Sequence, residues 1–215
     1  MSNSISARTL GVSLLALSLL GASACAAPNT SVTVKVQRPA KEAPKGDGFL
    51  EHLRRYCGQA FEGELVKDEP ASSAADWGGN RLVMHVQHCS PDEIRVPFHV
   101  GTNRSRTWIV RRDGHRLELR HDHRHEDGSP DAITLYGGFS IDEDSDPTNV
   151  RRFPADADTV AMMPKVATNV WTMSFGDETF VYQLQRKEEG RIFRASFDLS
   201  KPVTPPPLPW GYEKD

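Results

Sequence analysis

The chain has 215 residues, 26 Lys and Arg against 29 Asp and Glu, and a formal net charge of −3. That is long enough for one domain with a sizeable core. The charge is mixed along the length and no basic run is interleaved with aromatics, which excludes the electrostatic footprint of a nucleic-acid binder.

Residues 1–24 read as a signal peptide. Arg8 supplies the positive region, and Leu10 to Leu20 form an apolar core too short for a stable bilayer span. Ala22-Ser23-Ala24-Cys25 is similar to a bacterial lipobox, with Ala where Leu is usual. It predicts a lipidated Cys25, with ordinary cleavage and a soluble secreted or periplasmic protein as the alternative. Ala26 after the cysteine favours the outer membrane, facing the periplasm. Lipidation leaves Cys57 and Cys89 as an even pair in an oxidising compartment, so a disulfide between them is expected.

Residues 25–47, with Pro28, Pro39 and Pro44, read as a tether. Phe49, Leu50, Leu53, Tyr56 and Cys57 then recur at helical spacing, predicting a short amphipathic helix that ends near Gly58. Beyond it the apolar period becomes two. Strands are expected around Phe61 and Leu65, at 82–87, 94–100, 107–112, 115–123 and 132–136, then as a meander at 169–175, 179–186 and 191–199. Pro97 implies an edge or a bulge. Residues 140–165 form a polar excursion suited to a flap, and 201–215 a Pro-rich tail closing with Trp210. Eight or nine antiparallel strands after one helix predict an all-β, lipocalin-like barrel over 48–200, with a β-sandwich as the alternative.

The segment from Leu119 to Asp131 carries the candidate site. His121, His123 and His125 stand at every second position, so an unbroken strand would turn all three to one face with Leu117 and Leu119. Reading Asp113-Gly114 as a two-residue hairpin loop opposes Trp108 to Leu119 and Arg106 to His121. Trp108 and Arg106 then share the inner face, while Thr107, Arg111, Arg116, Glu118, Arg120 and Asp122 make a wet exterior.

Three functions fit this face. Arg106, Trp108, His121 and His123 would suit a small ligand with an anionic group above an apolar floor. The histidines would also suit a divalent metal such as zinc in a metal-dependent hydrolase or related enzyme. Same-face neighbours lie about 6.7 Å apart, so His121 and His125 are about 13 Å apart and cannot readily share one ion. Arg106 opposes a cation there. The third reading is a scaffold lipoprotein whose imidazoles fasten a turn through Glu126 or Asp127. Asp142, Asp144 and Asp146 imitate a calcium loop, but Pro147 and Phe153 stand where its glycine and closing carboxylate belong.

VPFHVG, SRTW, HDHRHEDGSPD, YGG, FPAD, NVWTM, FDLS and the closing PPLPWG resemble a family of uncharacterised bacterial exported proteins and lipoproteins. The resemblance runs from about Phe49 to Gly211. It implies a bacterial origin and an envelope location, and no catalytic residue.

Overall fold

The computed structural model describes residues 48–71, 77, 79–141 and 148–212. The expected signal peptide, Cys25, the tether and the acidic triplet at 142–146 lie outside the described residues.

Helix α1 (Gly48–Arg54) leads into strands β1 (Ala60–Glu69), β2 (Leu82–His85), β3 (His88–Cys89), β4 (Glu93–Val100), β5 (Asn103–Asp113), β6 (Arg116–His123) and β7 (Tyr136–Phe139). After β8 (Val150–Pro154) come helix α2 (Ala157–Met162) and a short 3-10 turn (Pro164–Val166). The meander of β9 (Val170–Phe175), β10 (Thr179–Arg186) and β11 (Arg191–Val203) completes the sheet. The strand expected at 132–136 begins only at Tyr136, and β11 runs three residues into the stretch expected as tail.

Ten strands follow one another in the order β7-β6-β5-β4-β2-β1-β11-β10-β9-β8, all antiparallel, with β3 beside β4. This is a nearly closed barrel, not a sandwich. The end strands approach through Asp156 N–H donating to Gly137 O (3.1 Å) and Ile141 N–H donating to Arg152 O (3.1 Å). Gly138 permits that closure, since a Cβ there would stand 1.8 Å from Pro154 O, and Gly137 permits the close β6–β7 approach, where a Cβ would stand 1.8 Å from Leu119 O. Pro97 lies opposite the gap between β2 and β3, where β4 changes partner and the missing N–H costs little.

The barrel interior is layered, because inward side chains recur every second residue and antiparallel register sets them side by side. On β9, β10 and β11 the layers are Met173, Tyr182 and Ala195, then Trp171, Leu184 and Phe193. Continuing the register puts Asn169, Arg186 and Arg191 in the next layer. On β5 and β6 the layers are Val110 with Leu119, then Trp108 with His121, then Arg106 with His123. Polarity therefore rises towards one end. The other end is filled by α1, whose Phe49, Leu50 and Leu53 are fully buried beside Phe61 and Phe175. Cys57, just past the helix, is bonded to Cys89 in β3.

Candidate functional site

The polar end holds a cavity of about 260 Å³. Arg106, Trp108, His121 and His123 all line it, together with Tyr136, Trp171 and Tyr182. The β5–β6 hairpin brings them there in a register two residues from the expected one. Gly114-His115, not Asp113-Gly114, is the loop, so Trp108 opposes His121 and Arg106 opposes His123. Gly114 takes φ 60 while His115 keeps a negative φ, the pattern of a type II′ turn with glycine first. A shift of two leaves every residue on its face.

His121 is 3 % exposed and both ring nitrogens are engaged. Nδ1 lies 3.1 Å from Tyr136 O, and Nε2 lies 2.7 Å from the Tyr182 hydroxyl. The carbonyl can only accept, so Nδ1 carries the proton and Nε2 accepts the Tyr182 O–H. Burial, with His123 alongside, lowers the His121 pKa from 6.5 to about 3. The ring stacks on Tyr136 at 4.5 Å. His123 bonds the Tyr136 hydroxyl through Nε2 at 3.2 Å. Burial and then the Arg106 charge bring its pKa down to about 4. Burial also pushes the Tyr136 hydroxyl up to about 12 and Tyr182 well above its usual value. Near neutral pH these four groups are uncharged.

The fixed cations at the cavity are Arg106, Arg186 and Arg191, and no carboxylate lines it among the described residues. The Arg106 guanidinium lies over the Trp77 ring, 4.8 Å from its centroid, and Trp77 stacks on Phe98. Arg191 is paired to Asp68 at 2.5 Å. Asn169 Oδ1 and Arg186 Nε are buried without hydrogen-bond partners. They are register neighbours, and both residues line the cavity.

His125 departs from expectation. Strand β6 ends at His123, and His125 is exposed on a turn closed by His125 N–H to Ser129 O and Gly128 N–H to His125 O, both 2.9 Å. The strand ends before His125 and the chain turns at 126–128, with Gly128 at φ 84, so the alternation that would have turned His125 inward does not reach it. Asp127 caps Ser129 rather than an imidazole. A metal ligand needs an available lone pair. That of His121 Nε2 is held by Tyr182, and its Nδ1 is protonated. Among the described residues no group of three or more His, Cys, Asp or Glu is arranged to hold an ion.

The outer face of β6 is not wet. Glu118 and Asp122 are each 3 % exposed, and Thr107 is buried too. Glu118 is paired with Arg111 and Arg120, and Arg120 also with Asp156 at 2.6 Å. The C-terminal segment straps this face. Arg104 donates to Leu208 O (2.7 Å), Trp210 N–H donates to Arg104 O (3.2 Å), and the Tyr212 hydroxyl donates to Asp122 (2.6 Å). Burial would raise the Asp122 carboxyl, but hydrogen bonds from Tyr212, Arg124 and Thr134 outweigh it and hold its pKa below the usual value. The flap expected from 140–165 is partly strand and helix, and its far end brings Met163 and Val166 to the cavity.

Sequence reasoning missed Trp77, Tyr136, Trp171, Tyr182, Arg186 and Arg191. Strand parity could have found the last three, since Tyr182, Leu184 and Arg186 alternate inward. Trp77, alone in a polar stretch, offered no such signal. No protein-family model matches this chain, and no curated protein matches it.

Proposed function

We propose that this barrel binds a small organic anion, its apolar part seated among the aromatic rings and its charge at the arginine-lined mouth. The observation that carries this is the layering: an apolar floor, a tier holding Trp108, His121 and Trp171, then Arg106, Arg186 and Arg191 with no carboxylate among the described lining residues. Histidines and tyrosines that satisfy one another leave Arg106 and Arg186 as the charge-bearing contacts, since Arg191 is paired to Asp68. A volume of about 260 Å³ lies just below the ~300–1,000 Å³ of drug-sized sites, which limits the ligand to a ring system or two. With both His121 nitrogens committed, a zinc hydrolase has less support than a carrier.

Titrating tryptophan fluorescence with 1-naphthoate and with uncharged 1-naphthalenemethanol tests this. The acid should bind at least tenfold more tightly, and Arg106→Leu should erase the difference, as expected for about 1.5–3 kcal/mol from a charged hydrogen bond. Equal binding of the two probes would overturn the reading.

The proposed setting is the bacterial envelope, with Cys25 lipidated and the domain facing the periplasm. The short apolar core at Leu10 to Leu20, the disulfide and the resemblance to exported bacterial proteins support it. Cys25→Ala should abolish acyl labelling and release the domain from membranes. Unchanged membrane fractionation would refute the anchor.

A further inference from the structure

The cavity wall at the end of β9 and β10 holds two atoms that nothing among the described residues satisfies. Asn169 is 4 % exposed, and its Oδ1 accepts no hydrogen bond. Its backbone is fully engaged, the N–H donating to Val166 O (2.9 Å) and the carbonyl accepting from Ala155 N–H (2.9 Å). The residue is therefore held in place while its amide oxygen is left over. Val170 lies opposite Gln185, so the next pair outward is Asn169 and Arg186. Arg186 donates through Nη1 to Lys165 O (3.2 Å), but its Nε–H is buried without a partner. An orphaned acceptor and an orphaned donor thus belong to neighbouring side chains in the lining of one cavity. Most buried polar atoms in folded proteins are paired, and leaving them unpaired costs stability.

We infer that the ligand carries a hydroxyl at the end remote from its carboxylate, and that Asn169 and Arg186 select for it. This deepens the anion reading of the cavity and rests on it. A hydroxyl is the smallest substituent that answers both atoms, its O–H donating to Asn169 Oδ1 while its oxygen accepts from Arg186 Nε–H. A carboxylate would answer the guanidinium and set its charge against the amide oxygen. An ammonium would answer the amide oxygen and be repelled by the guanidinium.

Topology sets the separation of the ligand's two ends. In the ten-strand order β5, with Arg106, stands third and β10, with Arg186, stands eighth, which is halfway round the barrel. A carboxylate held by Arg106 therefore leaves the hydroxyl for the opposite wall, with the apolar body between them. Trp171, two residues after Asn169 and also lining the cavity, offers the ring face on which that body lies. The ligand class is a hydroxyaryl acid whose polar groups stand at opposite ends of a flat ring system.

The probes are 5-, 6- and 7-hydroxy-1-naphthoate, their methyl ethers and 1-naphthoate, titrated by calorimetry against the full-length protein. At least one hydroxy acid should bind about tenfold more tightly than both 1-naphthoate and its own methyl ether, which keeps the oxygen but cannot donate. Asn169→Leu and Asn169→Ala should bring that ratio close to one. Without ligand, at least one of the two variants should melt no lower than the parent, because it removes an unpaired amide from a buried position. Hydroxy acids that bind no better than 1-naphthoate would overturn the inference and assign the two atoms to a bridging water. A lower melting temperature in both variants would overturn it as well, since the amide would then have a partner within the protein. The preference for 1-naphthoate over 1-naphthalenemethanol, measured alongside, separates failure here from failure of the anion reading.

Discussion

The two ends of the barrel are made of opposite materials. At the α1 end, Phe49, Leu50 and Leu53 are fully buried against Phe61 and Phe175, and the Cys57–Cys89 bond fastens the segment behind them. At the mouth, guanidiniums, neutral imidazoles and tyrosine hydroxyls hold one another in place. The plugged end supplies cohesion through non-directional burial. The mouth supplies direction, through groups whose partners fix both orientation and protonation. A barrel can carry costly polar groups at one end when the other end is this well filled.

The contrast is broken most directly at the plug. Phe49→Ala should cost about 3–5 kcal/mol in urea unfolding, the range for truncating a buried aromatic. Naphthoate affinity of the remaining folded protein should be unchanged. A large loss of affinity would mean the two ends are not separable.

Acid should act at the mouth. His121 and His123 titrate near 6.5 when unfolded, but burial lowers them to about 3 and about 4 when folded. Between those limits the unfolded chain binds more protons, so stability is complete above pH 6.5 and falls as pH drops towards 4. The loss should be on the order of a few kcal/mol. His99, lowered to about 4 by burial and then Arg104, contributes in the same direction from the other face of β4. Melting temperature against pH should therefore have a steep acid limb, shallower in His121→Gln/His123→Gln. A limb unchanged by that variant would assign acid sensitivity to the carboxylates.

The third test is smaller. His121→Ala leaves Tyr136 O and the Tyr182 hydroxyl without their partner, at about 1–3 kcal/mol. Arg106→Leu, at the cavity lining, should stay within about 1 kcal/mol of the parent. Equal stability of the two variants would show that the His121 network is decorative.

Much of this was legible. The helical spacing of Phe49, Leu50 and Leu53 located α1, and strand parity put Arg106, Trp108, His121 and His123 on one inner face. Parity survived a wrong register because the slip was an even number of residues. What failed was non-local. His125 left the row because the chain turns after it, and the buried exterior at Asp122 depends on Tyr212, 90 residues away. Alternation of residue types reports which face a side chain takes, but not what later covers that face.

The pairing of β1 with β11 governs how this protein can be made. The first strand finds its outer neighbour only in the last, with Glu69 opposite Ile192. Such distant pairing is slow to form and cannot begin while the C-terminal strand is still being synthesised. Until then β1 offers an open edge to other chains. A chain cut after β10 would keep that edge permanently, and aggregation rather than a smaller stable barrel is its expected fate.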